Sequence, residues 1–155
     1  MNVLIFKKRK SKRLTPIFGE RIHAGFESPA SDYEEARIDL NDYVTSYPEA
    51  TFYAKVMGNC MEGSYIFDGD LLVVNRSLIA ENGDIVVGMV NGEFILRGYI
   101  MYLNDHYLVA DHPGYSPIKQ DPDNPFQIWG VVTHTIFNQK QKRNVRTHRL
   151  QQFLR

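Results

Sequence analysis

The sequence contains a single cysteine, Cys60, and it lacks any apolar run long enough to cross a membrane. One cysteine excludes an internal disulfide. The first apolar run, Val3 to Phe6, is far shorter than the roughly 20 residues that a transmembrane helix needs. Lys7 to Lys10 follow this run, whereas a secretory signal places its positive charge before a longer apolar stretch. These features predict a cytoplasmic protein.

Acidic residues are missing from both ends of the chain. All eighteen carboxylates lie between Glu20 and Asp123, so the net charge of zero conceals two basic ends around an acidic middle. The basic ends can bind nucleic acid through phosphate contacts and counterion release, or they can be solvated tails that lie against the acidic body. Because such charge runs are commonly disordered, we favour solvated or self-associating tails.

Length and composition fit one domain with one hydrophobic core, since 43% of the 155 residues are hydrophobic. From Thr51 onward, short runs of β-branched and aromatic residues alternate with turn signals, as is typical of a sandwich or barrel-like sheet. Asn91-Gly92 predicts a two-residue type I′ hairpin turn, because both residues tolerate positive φ. We predict six strands: Thr51 to Val56, Leu71 to Val74, Asp84 to Val90, Glu93 to Tyr99, Tyr107 to Ala110 and Gln127 to Phe137.

Residues 1 to about 30 are predicted to form an extended arm, because proline and glycine residues interrupt any helix there. Two short helices are predicted to follow. Ser31 or Asp32 would cap a segment from Tyr33 to Ala36. Asn41 or Asp42 would cap a second segment that includes Tyr43 and Val44.

Several motifs occur in an order and spacing that resemble the LexA/UmuD family of self-cleaving serine peptidases. The central ones are Gly58-Asn59-Cys60-Met61, Asp68-Gly69-Asp70-Leu71-Leu72-Val73-Val74, Gly83-Asp84-Ile85-Val86-Val87 and Gly92-Glu93-Phe94. The flanking ones resemble the UmuD branch and are Gly25-Phe26, Ser28-Pro29-Ala30, Asp32-Tyr33, Arg37-Ile38-Asp39-Leu40-Asn41, Tyr115-Ser116-Pro117-Ile118 and Gly130-Val131-Val132. The resemblance covers roughly residues 24 to 137. We expect no helix-turn-helix domain upstream, which favours the UmuD branch over LexA-type repressors.

The resemblance implies a mainly β fold, a compact β-rich peptidase domain with an extended N-terminal arm. It also implies that a serine attacks a bond in the protein's own arm while a neutral lysine acts as general base. The scissile bond would be Ala24-Gly25, where Gly25 has no Cβ to obstruct the approach of the nucleophile. The alternative is that Ala24-Gly25 is only a flexible joint. The implied organisation is a cleavable or flexible basic arm at 1–24, a UmuD-like β domain at 25–137 and a basic C-terminal tail at 138–155.

Both members of the implied catalytic dyad have changed: Cys60 occupies the nucleophile position and Arg97 the base position. Lysine serves in this chemistry because an apolar pocket can lower its pKa until it is neutral. Position 97 shares a strand face with Ile95 and Tyr99, which could supply such a pocket. Arginine stays charged in proteins, so Arg97 cannot take a proton from the nucleophile. We therefore predict a pseudo-peptidase or a severely impaired enzyme.

Other assignments for these residues stay open. A thiolate favoured by the neighbouring guanidinium could attack without a separate base, although the leaving amine would lack an acid. Alternatively, Cys60 is an unreactive buried side chain, and Arg97 is a surface or salt-bridged strand residue. Ser64, the only nearby hydroxyl in the sequence, is rejected as the nucleophile, because a shift of four positions would leave the loop geometry of the family.

The histidines suggest neither a catalytic base nor a metal site. His23 lies beside the candidate bond but on the substrate arm, and His106, His112 and His134 fall in predicted strands or turns. No metal-ligand spacing connects them with Cys60. The sequence therefore predicts no metal and no cofactor.

The resemblance implies an accessory protein of error-prone DNA synthesis in the SOS DNA-damage response. Such a protein would form a homodimer and bind a UmuC-type DNA polymerase, and a RecA filament on single-stranded DNA would promote removal of the arm in active relatives. Two alternatives stay open: a cysteine-dependent self-peptidase that releases residues 1–24, and a DNA-binding regulator acting through the basic ends. The spacing of Val145, Leu150, Phe153 and Leu154 also fits a short amphipathic helix for a protein partner.

Overall fold

The computed structural model describes residues 4–6, 14–18, 34–141 and 143–154. The described chain is mainly β, as expected. Its strands are β1 (Leu4–Phe6), β2 (Leu14–Phe18), β3 (Glu34–Asp39), β4 (Thr51–Lys55), β5 (Leu71–Asn75), β6 (Ile85–Val90), β7 (Glu93–Tyr102), β8 (Asp105–Val109), β9 (Ile118–Lys119) and β10 (Gln127–Ile136). The α-helices are α1 (Leu40–Val44) and α2 (Arg143–Gln151), and 3₁₀ turns occupy Glu62–Ser64 and Gln152–Leu154. Neither described α-helix is long and apolar enough to cross a membrane.

Eight strands form one antiparallel sheet in the order β1-β4-β5-β10-β6-β7-β8-β9, and β2 pairs with β3 in a separate two-stranded sheet. β10 lies inside the larger sheet, where it pairs with both β5 and β6. β7 pairs with β6 on one side and with β8 on the other. This arrangement places residues 93–102 within the sheet and brings position 97 opposite Val86.

The six strands predicted from Thr51 onward are all present, and none of their ends differs from the prediction by more than three residues. The predicted hairpin turn is confirmed: Asn91 and Gly92 have φ of 51° and 79°, and Val90 pairs with Glu93 across the turn. A second two-residue turn connects β7 to β8 through Leu103 and Asn104, whose φ values are 49° and 64°. Neither residue of that turn is glycine, so no glycine marks it in the sequence.

The predicted helix from Tyr33 to Ala36 is wrong, because β3 begins at Glu34. This segment pairs with β2, where Ile17 lies opposite Ala36, so pairing between strands overrides the local helix signal. The second helix is confirmed as α1, but its cap was misplaced. Asp39 caps it, with its carboxylate accepting a 2.8 Å hydrogen bond from the backbone N–H of Asn41.

The ends of the chain contain more regular structure than was expected. Within the extended arm, β1 pairs with β4 and β2 pairs with β3. In the C-terminal tail, α2 forms as the apolar spacing suggested, and Leu150, Phe153 and Leu154 are exposed around its end. Ala24, Gly25 and His23 lie outside the described residues.

The described hydrophobic core consists of two clusters. One cluster includes Cys60 and Met61 together with Leu72, Val74 and Leu96. The second is centred on Val86, Tyr99, Leu108, Phe126 and Val131. Cys60 is therefore packed as part of the core and is only 3% exposed.

Candidate active site

The loop that carries Cys60 is anchored by the Asp-Gly-Asp turn that follows it. The backbone N–H of Gly58 donates to Asp68 Oδ1 at 2.8 Å, and Gly69 N–H donates to the carbonyl of Val56 at 2.9 Å. Gly58 has a φ of 99°, which a residue with a side chain rarely adopts. These bonds fix the chain on the approach to Cys60.

Asp111 holds the other end of this loop. Its backbone N–H points at Met61 Sδ, 3.4 Å away, and its carbonyl accepts from Gly63 N–H at 3.0 Å. Its carboxylate accepts a 2.7 Å hydrogen bond from the hydroxyl of Ser64. A Cβ added at Gly63 would lie 2.3 Å from Asp111 Oδ1, so glycine is required for this close approach. The loop is thus held at both ends.

The two altered dyad positions lie together. Cys60 Sγ donates to the carbonyl of Leu96 at 3.3 Å, and Arg97 Nη1 donates to the same carbonyl at 2.7 Å. Leu96 and Arg97 are adjacent residues of β7, so their side chains point to opposite faces of the sheet. The carbonyl of Leu96 belongs to the strand backbone between them. The fold therefore places the predicted nucleophile and base positions at one site.

Arg97 is buried, with only 8% of its surface exposed. Its guanidinium carbon lies 5.0 Å from the centre of the Tyr115 ring, and its Nε has no hydrogen-bond acceptor in the described part of the chain. Within the described ranges, Lys119 and Asp105 form an exposed ion pair, but no carboxylate forms one with Arg97. The alternative that Arg97 is a surface or salt-bridged residue is wrong.

The chemistry of Cys60 reflects two opposing effects. Burial raises the pKa of the Cys60 thiol above its ordinary value, while the charge of Arg97 and a hydrogen bond from it act in the opposite direction. Burial is the larger effect, so the thiol stays protonated at neutral pH. Arg97 cannot accept a proton from it. The site therefore presents a buried thiol with a raised pKa beside a permanent cation.

A cleft of about 330 Å³ opens beside this pair. Asn59, Cys60 and Arg97 contribute its polar wall, and Met57, Ile95 and Tyr115 contribute apolar surface. Ser64 does not line this cleft, and its hydroxyl is bound to Asp111. The cleft is the place where a peptide segment could approach Cys60.

Tyr115 and His112 were not identified from the sequence as residues of this site. The Tyr115 hydroxyl donates to Asn59 Oδ1 at 2.8 Å, and Asn59 Nδ2 lies 3.3 Å from His112 Nε2. His112 in turn accepts the backbone N–H of Gly114 at its Nδ1, 2.9 Å away. The motif that begins at Tyr115 was visible in the sequence, but its contact with the Cys60 loop depends on the path of residues 111–115.

His106 and His134 do not line the cleft. His106 Nδ1 is 2.6 Å from the hydroxyl of Tyr99, and His134 Nδ1 is 3.0 Å from Thr133 Oγ1. Among the described residues, no three His, Cys, Asp or Glu side chains are grouped in a way that could hold a metal ion.

Comparison with known proteins places this site in a family. Residues 16–133 match the family described as Peptidase S24-like. The chain is 38% identical to protein MucA of Salmonella typhimurium over 146 residues, covering 88% of this chain and 94% of MucA. It is 37% identical to protein ImpA of Salmonella typhimurium, covering 83% of this chain and 87% of ImpA.

A less similar relative matches this chain over a smaller share of its own length. The LexA repressor of Alteromonas mediterranea is 30% identical over 139 residues, which cover 89% of this chain but 66% of the repressor. The match to the S24 family spans β2 to most of β10 and includes both altered dyad positions. The chain belongs to the Peptidase S24-like family and, within it, to the LexA/UmuD group.

Proposed function

We propose that this chain is a UmuD-like accessory protein of the SOS DNA-damage response that supports error-prone translesion synthesis with a UmuC-type DNA polymerase. The proposal is supported by membership of the S24 family and by similarity to MucA and ImpA over most of both lengths. The identity to MucA, 38%, is higher than the 30% identity to the LexA repressor, which favours the UmuD-like assignment.

The pairing of Cys60 with Arg97 bears on whether the protein cleaves its own arm. Both side chains contact the carbonyl of Leu96, so they meet as a catalytic pair would. However, Arg97 is a permanent cation and Cys60 is a buried thiol with a raised pKa. We therefore propose that self-cleavage at Ala24-Gly25 is impaired and that the protein functions as a full-length homodimer or as a mixed dimer with an active relative.

Impaired cleavage changes the expected regulation. In active relatives, removal of the arm would convert one form of the accessory protein into another. A chain that keeps its arm cannot make this transition, so its effect on the polymerase would not change when a RecA filament is present. Binding, and not peptide hydrolysis, is then the retained activity.

The accessory role is tested by primer extension past an abasic site with a purified UmuC-type polymerase. The full-length protein should form a complex with the polymerase and alter the yield of bypass product, and Cys60→Ala should behave in the same way. The same polymerase without the protein is the control. If the protein neither binds the polymerase nor changes bypass, the accessory role is contradicted, whereas a loss of function in Cys60→Ala alone would contradict the non-catalytic assignment.

The cysteine-dependent self-peptidase remains the second candidate function. The contribution of Arg97 toward a lower Cys60 pKa favours it, because a thiolate can attack a carbonyl without a separate base. The larger effect of burial opposes it. Loss of the first 24 residues during incubation of the purified protein would establish this second function.

A further inference from the structure

Arg97 is a buried cation that the described protein does not neutralise. Its contacts are a backbone carbonyl, a thiol and an aromatic ring, none of which is an anion while Cys60 stays protonated. Its Nε–H has no acceptor among the residues that the structure describes. A buried guanidinium is normally paired with a carboxylate or a phosphate, because desolvating its charge without an anion is unfavourable.

The cleft next to Arg97 is large enough for a small ligand group. Among the described residues that line it, Arg97 is the single cation, and none is acidic. Met57 and Ile95 provide apolar surface, and the Tyr115 ring lies against the guanidinium. This combination suits a ligand with one negative charge on a largely apolar carrier.

We propose that the cleft formed by Cys60, Arg97 and Tyr115 is a recognition site for a single carboxylate carried by a peptide. The planar guanidinium matches a carboxylate in geometry and charge. A phosphate dianion would bring a second negative charge that no cation of this lining neutralises. The carboxylate can belong to a peptide C-terminus or to an acidic side chain. This inference is independent of the DNA-damage role and of any polymerase partner.

The decisive comparison uses two forms of one peptide with the unaltered full chain. N-acetyl-Ile-His-Ala ending in a free carboxylate is titrated against its C-terminal amide, and binding is followed by NMR through the Arg97 Nε–H signal and the backbone amides of Asn59 and Cys60. The acid should bind at least about tenfold more tightly than the amide, since a hydrogen bond to a charged group contributes at this level. Equal affinity for the acid and the amide, or binding of neither, would exclude a peptide C-terminus as the ligand. The proposal would be overturned if a peptide with an aspartate side chain, N-acetyl-Ala-Asp-Ala-amide, also failed to bind.

Two further ligands identify the source of the carboxylate and its charge class. N-acetyl-Ala-Asp-Ala-amide presents a side-chain carboxylate without a free C-terminus. If it binds while the C-terminal acid does not, the carboxylate site stands and its ligand is an acidic side chain. Inorganic phosphate should bind more weakly than the peptide carboxylates, and tighter binding of phosphate would contradict the single-charge assignment.

Matched arginine substitutions locate the site. Arg97→Gln should abolish the preference for the acid over the amide, whereas Arg149→Gln, an exposed position in α2, should leave it unchanged. An unchanged preference in Arg97→Gln would overturn the assignment to Arg97. If that variant fails to fold, the acid and amide comparison in the unaltered chain still decides the proposal.

Discussion

Arg97 and Tyr99 lie two residues apart on β7 and are buried to the same extent, each with 8% of its surface exposed. Tyr99 has a dedicated partner: its hydroxyl is 2.6 Å from His106 Nδ1, and the two rings stack with centres 5.8 Å apart. Arg97 has no anionic partner among the described residues, and its Nε has no acceptor. Two equally buried residues of one strand therefore differ in role. Tyr99 completes a structural contact with His106, whereas the charge of Arg97 stays available at the cleft.

A similar contrast separates the framework of the site from its reactive groups. The loop around Cys60 keeps the glycines, the Asp-Gly-Asp turn and the contacts to Asp111 that hold its shape. The two side chains that would perform the chemistry are a buried thiol and a permanent cation. The framework of an S24 domain is thus present, and under the proposed function its Cys60 and Arg97 positions bind and do not cleave.

The largest expected effect comes from restoring both members of the dyad. Cys60→Ser together with Arg97→Lys should bring back self-cleavage, because a lysine can become neutral and act as a base that contributes about 10²- to 10⁴-fold in rate. The rate, followed by intact mass, should rise with pH as the neutral fraction of the lysine increases. Cys60→Ser alone is the control and should stay inert. If the double variant is equally inert, more than the dyad has been lost.

Stability measurements test the comparison between Arg97 and Tyr99 directly. Arg97→Met replaces an unpaired buried charge by an apolar side chain of similar length, so the free energy of unfolding in urea should stay unchanged or rise by up to about 4 kcal/mol. Tyr99→Phe removes a hydrogen bond to His106 and should lower it by about 0.5–1.5 kcal/mol. A loss of stability in Arg97→Met larger than that in Tyr99→Phe would show that Arg97 is a structural residue.

Glycine substitutions test how firmly the Cys60 loop is held. Gly63→Ala would force Asp111 away and break its hydrogen bond with Ser64, so the free energy of unfolding should fall by about 1–3 kcal/mol. Gly98→Ala is a matched control on β7, because its Cβ would meet only the carbonyl of Val109 at 3.5 Å. Equal effects of the two substitutions in urea denaturation would argue against a tightly held loop.

The smallest effect concerns the reactivity of the thiol. Burial raises the pKa of Cys60 and Arg97 partly opposes this, so alkylation by iodoacetamide should be slow at neutral pH and should accelerate only above the ordinary thiol range. Arg97→Met removes the opposing charge, and the pH midpoint of alkylation should move upward. A midpoint that moves downward in this variant would contradict the assigned effect of the guanidinium on Cys60.

Much of the β fold could be predicted from local signals. Short β-branched runs located the six strands from Thr51 onward, and Asn91-Gly92 marked its hairpin because the turn needs positive φ at both residues. Residues 34–39 could not be assigned correctly because their conformation depends on pairing with β2, far away in sequence. The turn at Leu103 and Asn104 was missed because neither residue is glycine.

The sequence indicated that positions 60 and 97 belong together, but it did not indicate which residues surround them. The resemblance to the family indicated positions 60 and 97, and both side chains contact the carbonyl of Leu96. The contact between buried Arg97 and Tyr115 joins residues far apart in the sequence, and no local pattern encodes it. The unpaired charge that makes the cleft distinctive is therefore visible only in three dimensions.

We propose that this protein binds peptide or protein partners without cutting its own chain. The most direct test is intact-mass measurement of the purified protein after incubation from about pH 7 to about pH 10, a range that spans ordinary thiol ionisation, with and without RecA filaments on single-stranded DNA. The full-length mass should persist under every condition. Loss of the first 24 residues would contradict this proposal and would establish Cys60 as an active nucleophile.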